Sequence, residues 1–221
     1  MDKEIRQVTT KIELRTEGTE SDPEEVIEGY ALKFNRDSSV LGGWVRFIER
    51  IDEHALDNAD MSNVVATFNH DNNQVLGRSN VNLDLTVDNI GLKFRVKPTD
   101  TSYAKDLMAN IRSGGINQCS FAFTIPESED AQEWRDADQD GVDYYREIRQ
   151  IDKIYDVSVV TTPAYPDTEA TVGQRSLDLL KRKQAEKESQ QLEPLRTKML
   201  LELEKEQLLR NRLEELADTA Y

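Results

Sequence analysis

Cysteine is nearly absent from this chain. Among 221 residues only Cys119 occurs, so no intrachain disulfide can form and a cysteine-based zinc site is excluded. Histidine is almost as scarce. His54 and His70 are the whole supply, and any imidazole chemistry must use one of them. Aromatic residues make up 7% and apolar residues 37%, which predicts a modest core. No apolar run approaches the roughly 20 residues of a membrane helix. Nothing apolar follows the opening Met-Asp-Lys-Glu-Ile-Arg, so neither a membrane span nor a secretory leader is expected, and the expected address is the cytoplasm. Positive charge is short as well: 28 Lys+Arg face 43 Asp+Glu, a net charge of -15. A general nucleic-acid binder needs clustered cations to neutralise phosphates, and this balance argues against one.

The deficit is unevenly spread. Residues 176–221 contain no Gly and one Pro, with 9 basic and 10 acidic side chains. The first 175 residues carry 19 basic and 33 acidic ones. The composition therefore divides the chain into a domain over 1–175 and a tail over 176–221. The tail reads as α-helix. Leu192, Leu195, Met199 and Leu203 form one stripe, and Leu209, Leu213 and Leu216 a later one. Their period is nearer 3.6 than a strict heptad, which favours an amphipathic helix over an independent coiled coil.

The first part reads as short strands. Thr10 to Arg15, Val26 to Phe34, Val64 to Phe68, Val81 to Val87, Leu92 to Val96, Cys119 to Ile125, Tyr144 to Ile151 and Tyr155 to Thr161 all fit. Asp88-Asn89-Ile90-Gly91 is a hairpin turn. Tyr103 to Arg112 is a helix capped by Asp100 or Thr101 and ended by Gly114-Gly115. Many short strands with one or two helices predict a closed or nearly closed antiparallel sheet.

Of the two histidines, His54 sits among charged neighbours and reads as a surface residue. His70 ends the apolar run Val64–Phe68, where a rigid strand can present it to a cleft as a general base. In the strand from Cys119, alternation puts Cys119, Phe121 and Phe123 on one face and Ser120, Ala122 and Thr124 on the other. The aromatic face should be core, making Cys119 a small buried hydrophobe and pointing Ser120 to an open side. Asp156 interrupts the Val-rich run Tyr155–Val160 and shares a face with Ser158. A carboxylate there needs a partner, either an imidazole or a cation. The hydrolase elbow G-x-S-x-G and the zinc signature H-E-x-x-H are both absent.

Several blocks resemble the tailed-bacteriophage prohead (procapsid maturation) proteases. They are Ile27-Glu28-Gly29-Tyr30-Ala31-Leu32-Lys33-Phe34, Phe47–Ile51, Asn69-His70-Asp71 with Leu76-Gly77-Arg78, and Asp88–Leu92. Gly115–Phe123 and Asp156-Val157-Ser158-Val159-Val160-Thr161-Thr162-Pro163-Ala164-Tyr165-Pro166 complete the set. They stand in the family's order over about residues 10 to 175. The resemblance implies an α+β fold related to the herpesvirus assemblin proteases: a mainly antiparallel bent β-barrel with a few flanking helices, here followed by the α-helical tail. It implies a serine endopeptidase that cleaves scaffold and capsid protein segments, and itself, during procapsid maturation. His70 matches the general base and Ser120 the nucleophile. Asp156 matches an acidic third position, where herpesvirus relatives use His. Backbone N–H groups near Ala164 and Tyr165 are the expected oxyanion hole. The implied partners are the major capsid protein and scaffold, with self-association possible and neither nucleic acid nor membrane involved. The implied place is the assembling procapsid in the host cytoplasm, with absence from the mature virion.

No cofactor is required by this chemistry. One motif nonetheless fits a calcium loop: Asp136, Asp138, Asp140-Gly141 and Glu147 follow the EF-hand spacing. The same residues read as an acidic hairpin tip. Strand-like flanks, Asp143 at the loop's usual apolar position and the Asp-Gly turn signal favour the hairpin. Two other classes remain open: a catalytically silent assembly module of the same fold, and a calcium-dependent structural protein.

Overall fold

The structure, a computed structural model, describes residues 3–9, 12–19, 22–161, 181–182, 185, 189, 192–205 and 207. The chain forms two units, Met1–Gln174 and Arg175–Tyr221. The described part of the first holds strands β1 (Glu4–Thr9), β2 (Glu13–Thr19), β3 (Asp22–Lys33), β4 (Phe47–Ile51), β5 (Val65–Phe68), β6 (Asp71–Arg78), β7 (Leu83–Val87) and β8 (Gly91–Val96). Helix α1 (Ser102–Arg112) follows, then β9 (Gln118–Thr124), a 3-10 turn (Glu129–Ala131), β10 (Gln132–Gln139), β11 (Val142–Ile148) and β12 (Lys153–Val160).

The strands build three sheets, ordered β1-β9-β12-β5-β6, β2-β3-β8-β7 and β10-β11-β4. The fold is mixed α+β and mostly strand, as expected, but the sheets are not closed into a barrel. Each ends in two edges, and the β5–β12 and β4–β11 pairings are parallel. Strand lengths and alternation are local signals, whereas closure depends on which strands pair, and local patterns carry little of that.

Local chemistry accounts for the elements. In β8, Leu92, Phe94 and Val96 are buried while Lys93 and Arg95 are half-buried, the alternation of a sheet with one wet face. Gly91 is obligatory at its start, because a Cβ there would lie 2.0 Å from the Leu32 carbonyl oxygen. In α1 the Thr101 side chain accepts from the Ala104 N–H, and Ala104, Leu107 and Ile111 form the buried stripe. Strand β9 differs: Cys119 through Thr124 are buried on both faces. Its Phe121 and Phe123 stack with ring centroids 5.0 Å apart, inside one core shared with Ile27, Leu32, Phe94, Leu107 and Val157.

Strands β1, β4, β6 and β10 form where no strand is expected from the sequence. β1, β6 and β10 are polar or charged enough to read as loop, and β4 is only five residues long. In the second unit, residues 192–205 are helical and exposed. The stripe Leu192, Leu195, Met199 and Leu203 lies there, whereas Leu209, Leu213 and Leu216 fall outside the described residues. No helix among the described residues is long and apolar enough to cross a membrane.

Candidate active site

The site begins with a two-residue hairpin. β5 ends at Phe68, β6 begins at Asp71, and Asn69 and His70 form the turn with φ of +53° and +56°. Positive φ at both central residues is what a type I′ hairpin requires, usually with Gly in the second place. A histidine in this left-handed region costs about 1–2 kcal/mol. The neighbouring β12 offsets that cost. The Asn69 N–H donates to the Val159 carbonyl at 2.9 Å, and the His70 N–H donates to Ser158 Oγ at 2.9 Å. The Asn69 side-chain oxygen accepts from the Thr161 N–H at 3.0 Å. Ser158 is itself fixed by Thr67, whose Oγ1 lies 2.5 Å from Ser158 Oγ.

The same register brings the other two residues to the imidazole. On β12, Asp156 pairs with Ala122 and Ser158 with Ser120, so both point to the face that carries Ser120. His70 Nδ1 lies 2.5 Å from Asp156 Oδ1, and His70 Nε2 lies 2.6 Å from Ser120 Oγ. The three side chains predicted from sequence therefore meet in one hydrogen-bonded chain. The other carboxylate oxygen of Asp156 accepts from Lys3 Nζ at 2.9 Å. Burial pushes the Asp156 carboxyl up, but the hydrogen bond and charge of His70, reinforced by Lys3, hold it below the usual carboxylate range. An ionised Asp156 fixes a proton on Nδ1 and leaves Nε2 free to take one from Ser120.

One expectation fails. Ser120 does not face an open side: it is 0% exposed, and Ala122 and Thr124 beside it are buried too. β1 lies along β9 with Gln7 opposite Ser120, and Ser120 Oγ is 2.9 Å from the Arg6 carbonyl oxygen. Cys119 behaves as expected: it is fully buried, and burial pushes its thiol up. His54 stands on an exposed turn, 3.1 Å from Asp57. Ala164 and Tyr165 lie outside the described residues.

Sequence reasoning missed Lys3, the Arg6 carbonyl, and the bracing of His70 by Ser158, Thr67 and Asn69. A charged N-terminus and backbone groups carry no local signal. Of the calcium pattern, Asp136 and Asp138 lie on β10, Glu147 lies on β11, and Asp140 sits at the tip before Gly141. Among the described residues no group of three or more His, Cys, Asp or Glu is placed to hold a metal ion.

A serine, an imidazole and a carboxylate in series are what nucleophilic acyl transfer uses, so chemistry points to a serine hydrolase. The family is known: a model described as caudovirus prohead serine protease matches residues 10–183, and the chain belongs to that family. Among solved structures it is similar to the capsid assembly protease of bacteriophage T4, gp21. The TM-score is 0.45 at 14% identity, covering 74% of this chain and 100% of that one. No curated protein matches the chain.

Proposed function

We propose that the chain is a serine endopeptidase that cleaves scaffold and capsid protein segments, and itself, inside the assembling procapsid. The observation that carries this reading is the Asp156–His70–Ser120 chain, with links of 2.5 and 2.6 Å. His70 Nε2 takes the Ser120 proton as Oγ attacks the scissile carbonyl. Asp156 holds the Nδ1–H tautomer and stabilises the imidazolium. The imidazolium then returns the proton to the leaving amine, and a water repeats the sequence on the acyl-enzyme. The oxyanion needs backbone donors, sought at Ala164 and Tyr165. Pro163 has no N–H to offer.

The test is co-expression with the phage's capsid and scaffold proteins. The wild-type chain should shorten them. Ser120→Ala and His70→Ala should each lower cleavage by about 10³-fold or more. Cleavage by Ser120→Ala at the wild-type rate would overturn the assignment. A second reading, a catalytically silent assembly module, is favoured by one observation: Ser120 is fully enclosed. The same experiment separates the two, since a silent module leaves its partners intact.

A further inference from the structure

Ser120 has one proton and two groups positioned to take it. Its Oγ lies 2.6 Å from His70 Nε2 and 2.9 Å from the Arg6 carbonyl oxygen. A hydroxyl donates once. If the proton goes to Nε2, the serine is ready to be activated. If it goes to Arg6, Nε2 must bring its own proton to keep the 2.6 Å contact. With Nδ1–H already directed at Asp156, His70 is then an imidazolium and cannot act as base. The Arg6 carbonyl therefore competes with the general base for the proton that catalysis must move. It also stands beside the nucleophile, where a scissile carbonyl has to come.

The strand that supplies this carbonyl is held in an unusual way. Glu4 and Arg6 project from β1 into the protein and meet Glu49 of β4 and Arg146 of β11, all four nearly or fully buried. Arg6 Nε reaches Glu49 at 2.7 Å, while Arg146 reaches Glu49 at 2.7 Å and Glu4 at 2.6 Å. Glu4 with Arg6 is neutral as a pair, and Glu49 with Arg146 is neutral as a pair. Withdrawal of β1 consequently strands no net charge in the interior, which is the usual penalty for breaking a buried ion cluster. β1 is also an edge strand of its sheet, with a ladder neighbour, β9, on one side. The family match begins at residue 10, immediately after β1 ends at Thr9.

We infer that β1 is an inhibitory strand: residues 4–9 occupy the edge of β9 where a substrate segment must lie, and withdrawal of β1 switches the protease on. This rests on the serine protease reading above. The silent appearance of Ser120 is then one state of a switch. An incoming extended peptide takes the place of β1 against β9, gaining the same ladder hydrogen bonds. The Glu49–Arg146 pair favours a peptide that places an acidic and a basic residue two apart on its inward face, as Glu4 and Arg6 do.

The register supplies the test. Val8 pairs with Cys119, the chain's single cysteine. Directly opposed antiparallel residues have Cα atoms about 4.5–5.5 Å apart, within disulfide range. The full-length Val8→Cys variant should therefore lock β1 to β9 on oxidation and release it on reduction. Ser120 is followed with a serine-directed fluorophosphonate. Oxidised Val8→Cys should label about tenfold or more slowly than the reduced form, because the lock removes the open population. Wild type under the same oxidant, unable to form an intrachain bridge, should not change. Glu4→Ala/Arg6→Ala, which loosens β1, should label faster than wild type. The lock decides the matter even if that variant fails to fold. Equal labelling of the locked and reduced forms overturns the inference, as does a reduced Val8→Cys chain whose Ser120 stays unlabelled. The serine reading fails separately, if Ser120→Ala cleaves as wild type does.

Discussion

His70 owes its position to three braces, and the shortest route to testing that is Ser158. Its Oγ accepts the His70 N–H at 2.9 Å and lies 2.5 Å from Thr67 Oγ1, so it holds the backbone of the turn that carries the imidazole. It is a positioning residue. Ser158→Ala leaves a half-buried N–H unpaired in a turn already held at positive φ, a cost of about 1–3 kcal/mol. The expected result is a lower melting temperature and a larger loss in kcat than in KM, because a misplaced base harms the chemical step. Ser158→Thr, which restores the hydroxyl, should recover part of the activity. An unchanged kcat in the alanine variant would show that the other braces suffice. Local pattern singled out His70 at a strand end, Ser120 opposite an aromatic face and an acid, Asp156, in a valine run, but it assigned them no roles: those came from the resemblance of the surrounding blocks to the prohead proteases. The braces were not legible, since a hydroxyl 88 residues away from the N–H it holds leaves no trace in local sequence.

At the scale of elements, the four-charge cluster joins the β1 end of one sheet to β4 and β11 of another. Arg146 is its centre: fully buried, bonded to Glu4, Glu49 and Gln132, with its guanidinium 5.2 Å from the Trp134 ring centroid. Arg146→Ala leaves the two acids with Arg6 alone and should cost about 3–5 kcal/mol in urea unfolding. Acid reads the same cluster from the other side. Burial pushes the Glu4 carboxyl up, but Arg146 and Arg6 outweigh it and bring it down to about 2, against an ordinary 4.5. A depressed carboxyl stabilises the fold fully above its unfolded pKa and loses that contribution as pH falls through the folded one. The loss therefore runs from about pH 4.5 to about pH 2. Glu4→Gln, measured by urea unfolding across that window, should flatten the wild-type decline; an equally steep decline in the variant would place the acid sensitivity elsewhere. None of this was visible in the sequence. Glu4-Ile5-Arg6 alternates charge as an exposed strand edge does, and its partners lie 43 and 142 residues away. The same blindness to pairing produced the expected barrel in place of three open sheets.

For the whole molecule, the charge asymmetry and the core point the same way. The described core runs from Ile12 to Val159, inside the acidic first part of the chain. The apolar stripe of the described helix at 192–205 is exposed: Leu192, Leu195, Met199 and Leu203 are 53–64% exposed. A helix of this composition gains little from propensity alone and needs a partner surface to be stable. A chain ending at Lys183 keeps the full family span and every described core residue. It should melt within about 2–4 °C of the full chain, the shift that about 1 kcal/mol produces in a domain of this size. Its Ser120 should react with the fluorophosphonate at the wild-type rate. Its far-UV circular dichroism should lose helix signal while the near-UV spectrum of the domain stays unchanged. What the truncation should remove is delivery: in co-expression, the shortened protease should be recovered less from procapsids while still cutting scaffold in solution. A large fall in melting temperature would instead make the tail a finishing element of the domain. A fall in serine reactivity without a fall in stability would tie the tail to the switch at β1.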